Sequence, residues 1–220
     1  SYSNNSDTQI LSVPYALHAK TAENFTETDP TWKVAADTLA AIGRKGNVGI
    51  GTTAPAALLH TLGKGKGEGN VLFTGILNTF DPGDTPASGA GNRLMWYPDK
   101  AAFRVGLTEG KNWDKDSIGY FSMAMGRNTK AKGNSSTTMG YSTTASGNSS
   151  TAMGNYTTAP SYCETVTGKY NTDYTPKSTD SWDSNDRLFV VGNGKDASNK
   201  SNALTILKNG NTTVNGDLQV

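Results

Sequence analysis

The sequence predicts an all-β chain organised around a short-repeat parallel β-roll of 14-residue coils, flanked by irregular β-segments, and three observations carry that prediction. Gly126, Gly140, Gly154 and Gly168 recur every 14 residues. A second row, Gly119, Gly133 and Gly147, falls halfway between them. The residues before each glycine also repeat in kind: Ser122-Met-Ala-Met-Gly126, Ser136-Thr-Thr-Met-Gly140, Ser150-Thr-Ala-Met-Gly154 and a decayed Glu164-Thr-Val-Thr-Gly168. Such a period is too short for a helical hairpin, whereas two short strands and two tight turns fit it, with all seven glycines expected where the chain bends.

Taken in order, residues 1–45 read as an amino-terminal junction. Pro14 opens a short helix over 14–22, since proline is accommodated in a first turn, and 23–45 form a linker in which 34–42 fit either helix or loop. Residues 46–116 read as a β-rich neck, with strands at 48–50, 57–62, 71–77, 93–97 and 102–105 and glycine-rich turns at 63–69 and 82–91. Residues 117–168 are the repeats, 169–186 an inserted loop, and 187–220 a closing β-segment with strands at 188–191, 203–207 and 212–214. Pro160, Ser161 and Cys163 break the repeat, so the roll is expected to fray or be capped there.

Alternation within the repeat strands separates two ladders, because successive strand side chains point to opposite faces. Ala124, Thr138 and Ala152 form the small ladder and suit the inside of a narrow coil. Met125, Met139 and Met153 then face outwards, an apolar row that a soluble monomer rarely leaves uncovered. The economical cover is the same row from identical chains about a symmetry axis, which makes these methionines the candidate association core.

The block Ser-x-Ala-Met-Gly followed by Thr-x-Ala-x-Gly (Thr129, Ala131, Gly133; Thr143 or Thr144, Ala145, Gly147) resembles the head repeat of trimeric autotransporter adhesins of the YadA type. That resemblance covers about a quarter of the chain. It implies a left-handed roll, an intertwined homotrimeric fibre and a role in adhesion. A second resemblance rests on Gly46-Asn-Val-Gly-Ile-Gly-Thr-Thr-Ala-Pro55, on Arg93 to Gly106 and on Arg187 to Gly194, which are similar to segments of phage tail-fibre-like proteins. Gln9 to Ala19 looks like a junction in Bacteroidetes-type surface proteins. Together they imply a piece of a longer extracellular fibre, carried on a bacterial surface or a phage-like particle.

Composition agrees. Only 35% of the 220 residues are apolar, so the chain buries little core per residue and fits a slender assembly that obtains burial between subunits. A formal charge of +1 without basic runs provides no footprint for nucleic acid, and no stretch approaches the ~20 apolar residues of a membrane span. Cys163 stands alone, which excludes a disulfide within one chain.

Chemistry-bearing patterns are few, and no cofactor is expected. His18 and His60 are the only histidines, and neither sits in a setting that favours a catalytic triad. Gly63 to Gly69 is glycine-rich but matches no phosphate-binding spacing. Asp180, Asp183 and Asp186 form the one carboxylate cluster, readable as a solvated turn, a weak metal site or, beside Trp182, the acid pair of a glycan hydrolase. Tyr162, Tyr170, Tyr174 and Trp182 crowd the insertion and are the candidate ligand-binding residues, since aromatic rings offer large rigid area at low entropic cost. The preferred reading is a non-enzymatic trimeric attachment segment for a surface glycan or receptor protein, without membrane insertion. The alternatives are a tail-spike-like hydrolase and a purely structural shaft.

Overall fold

A computed structural model describes residues 47–216. The expected helix at 14–22 and the linker at 23–45 lie outside them. Two compact units divide between Leu72 and Phe73. In the first, β1 (Val48–Ile50) pairs in parallel with β2 (Leu59–Thr61), Val48 opposite Leu59.

The second unit is the roll. Its long strands are β5 (Met123–Arg127), β7 (Thr137–Tyr141), β9 (Thr151–Asn155) and β11 (Thr165–Lys169), stacked in parallel with Ala124, Thr138, Ala152 and Val166 in register. Its short strands β6 (Lys130–Ala131), β8 (Thr144–Ala145) and β10 (Thr158–Ala159) form a separate parallel sheet. Each coil therefore contributes one long and one short strand. The described residues are all-β, as the period predicts.

Other strands extend the long sheet to nine. The hairpin β3 (Gly91–Tyr97) and β4 (Ala102–Thr108) adds at one end, β4 running parallel to β5. At the other end β12 (Arg187–Asn193) pairs in parallel with β11, and β13 (Asn202–Leu207) and β14 (Thr212–Val214) follow antiparallel. The fourth repeat thus does not fray. Ser161 replaces the glycine of the row without a clash because no further coil stacks on it, and its hydroxyl donates to the Arg187 carbonyl at 2.8 Å.

The interior is narrow. Ala124, Thr138, Ala152, Val166 and Val190 from the long sheet, and Ala131, Ala145 and Ala159 from the short one, are fully buried. Ser122, Ser136 and Ser150 satisfy themselves inside it, each donating to the carbonyl of its own coil's glycine. Small side chains are what let the two sheets approach.

Both turns of every coil pass through the left-handed region, but at non-glycine residues. Phe121, Ser135, Ser149 and Cys163 have φ of 54–58°, and Asn128, Ser142, Tyr156 and Tyr170 have φ of 42–55°. Gly133 and Gly147 stand at the bends as expected, each accepting the N–H that closes a turn (from Ser136 and Ser150), whereas the first row lies elsewhere. Gly126, Gly140, Gly154 and Gly168 belong to the long strands, with φ from +98° to +118°, and a Cβ on each would overlap the carbonyl of the glycine in the next strand. Gly119, Gly133 and Gly147 carry no positive φ; their Cβ would strike the carbonyl of the coil above. Close stacking, rather than bending, is what excludes side chains from the second row.

One expected strand is missing. Residues 71–77 have no strand partner, and Val71, Leu72, Phe73 and Ile76 stay exposed. An apolar run needs an adjacent ladder before its backbone groups can pair, and no strand lies alongside 71–77.

Candidate association face and ligand platform

The outer side of the nine-stranded sheet gathers the methionines. Met125, Met139 and Met153 stand in one register across β5, β7 and β9, each half-buried. The row continues past the repeats into Val105 and Leu94 on one side and Thr167, Val191 and Leu204 on the other. Beside it runs a parallel row containing Trp96, Phe103 and Met123, then Phe189 and Ile206 beyond the central threonines. Leu94 is 70% exposed. The strand alternation at 103–107 and 187–191 carried the signal for this extension, which lies outside the glycine period.

Trp96 and Tyr97 divide as alternation requires. Tyr97 turns inward and is buried, with its hydroxyl donating to the Gly83 carbonyl at 2.5 Å and its pKa pushed up to about 12, first by burial and then by Asp99. Trp113 is likewise a core residue, its indole N–H donating to the Thr129 carbonyl at 2.8 Å.

The four aromatic candidates separate. Tyr170 stacks on Tyr156, centroids 4.7 Å apart and planes 7° from parallel, and Tyr156 meets Tyr141 edge-on at 5.0 Å. Arg127 lies over Tyr141 at 5.1 Å and Lys169 over Tyr170 at 5.4 Å, so this corner stack is sandwiched by cations. Tyr174 is engaged internally, donating to Asp186 Oδ1 at 2.5 Å beneath the Arg187 guanidinium. Its pKa is pushed up by burial and by that carboxylate. Tyr162 lies against Lys208 Nζ at 5.8 Å. Trp182 faces the same ammonium at 5.4 Å and remains 57% exposed.

The carboxylates of the insertion close the loop on itself. Asp186 is buried and also accepts the backbone N–H groups of Lys177 (2.7 Å) and Ser178 (3.0 Å). Burial pushes its pKa up, but these three donors and Lys208 outweigh it and hold the group below the ordinary aspartate value. Asp180 accepts from Ser178 Oγ, and Asp183 accepts the Asn185 N–H. Among the described residues no group of three or more His, Cys, Asp and Glu has the geometry to hold a metal ion.

Charged groups also plug the roll, which the sequence reading missed. Arg104 is fully buried in the register of Ala124 and donates to the carbonyls of Phe103, Ser122 and Ala131 and to Ser122 Oγ, at 2.8–3.2 Å. Burial pushes its pKa down to about 10. Lys100 closes the same end through the carbonyls of Lys115 and Ile118. At the other end Glu164 takes the place of the repeat serines, fully buried, accepting the Ser161 N–H at 2.9 Å; burial pushes its pKa up to about 7. Its position as the one departure from Ser122, Ser136 and Ser150 was the available signal.

With stacked coils, serine-lined interior and outward methionines in place, comparison with known families gives one match. Residues 117–137 and 131–157 carry the YadA head domain repeat, in two copies. The YadA head belongs to a family of non-enzymatic, surface-exposed adhesins that form homotrimers. No curated protein and no solved structure matches the chain. Among the described residues no helix is long and apolar enough to cross a membrane.

Proposed function

We propose that this chain is a non-enzymatic segment of a homotrimeric surface fibre, wound in left-handed coils, whose head coils associate through the methionine face and display binding sites for a surface glycan or receptor protein. The observation that carries the reading is the continuity of that face. From Leu94 to Leu204 one register runs across eight strands with an apolar side chain in every strand but β11, where Thr167 stands, and all of them remain at least partly open to solvent in the single chain. A patch of this extent calls for a cover, and the homotrimeric habit of YadA-type heads supplies one with identical chains. Three copies of a weak site on one rigid stalk then raise avidity wherever the target repeats at a compatible spacing.

Light scattering tests the assembly. A mass near three times 23.2 kDa is expected at micromolar concentration. A mass near that of one chain ends the proposal.

A further inference from the structure

We infer that Trp182 is the stacking platform of a carbohydrate site, built by the inserted loop and the β13–β14 turn, for a pyranose ring of a neutral glycan. The inference rests on the attachment reading above and names its ligand class.

Of the tryptophans at 96, 113 and 182, only Trp182 lies open. One face of its ring is held by Lys208 Nζ, a buried ammonium wedged between Trp182 and Tyr162 and hydrogen-bonded to Ser161 Oγ at 3.3 Å. The rest of the side chain, 57% exposed, is available to a ligand. The loop beneath it is locked: Asp186 ties Tyr174, Lys177 and Ser178 together, and Ser178 Oγ meets both Asp180 Oδ1 (2.8 Å) and Ser181 Oγ (2.7 Å). The N–H groups of Lys208 and Asn209 donate to the carbonyls of Asp186 and Ser184, both at 2.9 Å, which joins the loop to the turn. A ring held this way binds without a further ordering cost.

The rim chooses the ligand. Asp180, Asp183 and Asn185 flank Trp182 along the loop, and Asn209 is tied to the loop through the Ser184 carbonyl, so carboxylate acceptors and amide groups, the kind of polar groups that orient a hydroxylated ligand over an aromatic face, belong to the segments that carry the ring. The two exposed or half-exposed carboxylates repel acidic sugars, so a neutral ring is preferred. A protein partner would instead call for a cluster of apolar anchors around the tryptophan, whereas its neighbours along the loop, Ser181, Asp183, Ser184 and Asn185, are polar. Association leaves the site open, because the loop is bonded to the coil corner, through Thr179 to the Asn148 N–H and Ser178 to the Tyr162 N–H, rather than to the strand face of Met139 and Met153.

The test titrates the intact chain with neutral gluco-, galacto- and manno-oligosaccharides, with polygalacturonate as the acidic control, following tryptophan emission and calorimetric heat. At least one neutral oligosaccharide should bind with a shift in emission, Trp182→Ala should weaken it more than tenfold, and Trp182→Phe should retain part of the affinity, all at unchanged mass. Equal binding by Trp182→Ala overturns the site, as does binding confined to polygalacturonate, failure of every neutral sugar, or adhesion traced to a protein receptor. A trimer that still adheres while Trp182→Ala is silent removes the site and leaves the attachment reading standing. A single chain that nonetheless binds sugar through Trp182 does the reverse.

Discussion

At Gly140 two demands coincide in one residue. Its φ of +114° is a conformation L-residues rarely adopt, and a Cβ there would overlap the Gly154 carbonyl of the next strand. Ser142, two residues on, lies in the left-handed region at φ 51° with its side chain half-exposed, so glycine fits there without strain. Gly140→Ala should therefore lower the urea midpoint sharply, while Ser142→Gly should change stability by no more than about 1 kcal/mol in either direction. Equal midpoints for the two variants would refute the stacking account of the glycine row. Glu164 gives a second residue-scale prediction, with a sign. Its folded pKa of about 7 lies above the ordinary 4.5, so between those values the folded chain holds more protons than the unfolded one. Stability tied to this group is present below pH 4.5 and declines as pH rises towards 7, by up to about 3 kcal/mol. Glu164→Gln keeps an acceptor for the Ser161 N–H and removes the titration. The wild-type melting temperature should fall from pH 5 to pH 8 relative to that of the variant, and parallel pH profiles would show that Glu164 does not titrate in this window.

A solenoid coil obtains its partners from the coils on either side, so its end coils need a substitute. Arg104 serves that end by donating three hydrogen bonds to groups of the first coil and a fourth to the Phe103 carbonyl of its own strand, with no carboxylate needed to hold it. Arg104→Ala leaves a cavity and frees the Ser122 and Ala131 carbonyls, a loss on the order of 3 kcal/mol or more. Arg104→Lys should recover only part of it, since one ammonium cannot reach all four acceptors. A urea midpoint unchanged in Arg104→Ala would mean that the end coil is closed by other groups. This contrast explains what the sequence made legible. The coils repeat, so their period, small interior and outward methionines could be read from local spacing at Ala124, Thr138 and Ala152. The ends do not repeat: Arg104 and Lys208 come from segments outside the repeats and donate to carbonyls and a hydroxyl that spacing cannot locate, while Glu164 stands at a repeat position whose spacing gives no hint that it accepts the Ser161 N–H. The missing strand at 71–77 shows the same limit, because an apolar run marks a strand candidate but does not supply a neighbour. Among the site candidates, aromatic type marked the inserted loop, yet only the fold separates Tyr174, bonded to Asp186, from the open ring of Trp182.

For the whole molecule the decisive question is which surface meets its symmetry mates. Met139 stands mid-sheet between Met125 and Met153 in one register, with β5 and β9 shielding it on either side. If three copies bring this row to a common axis, Met139→Asp places three carboxylates together in a poorly hydrated space. Desolvation and mutual repulsion then both favour the protonated form, raising the pKa in the assembled state above that of the free chain. Assembly of the variant should accordingly fail near neutral pH and recover partly in acid, where the carboxylates are neutral. Met139→Leu, close in volume, should cost under about 1.5 kcal/mol per site and leave the mass unchanged. Circular dichroism separates failure to assemble from failure to fold, since the interior ladder of Ala124, Thr138 and Ala152 faces the other way and is untouched by the substitution. A Met139→Asp chain with trimer mass at pH 8 would place the methionine row in solvent and move the symmetry axis to another side of the roll.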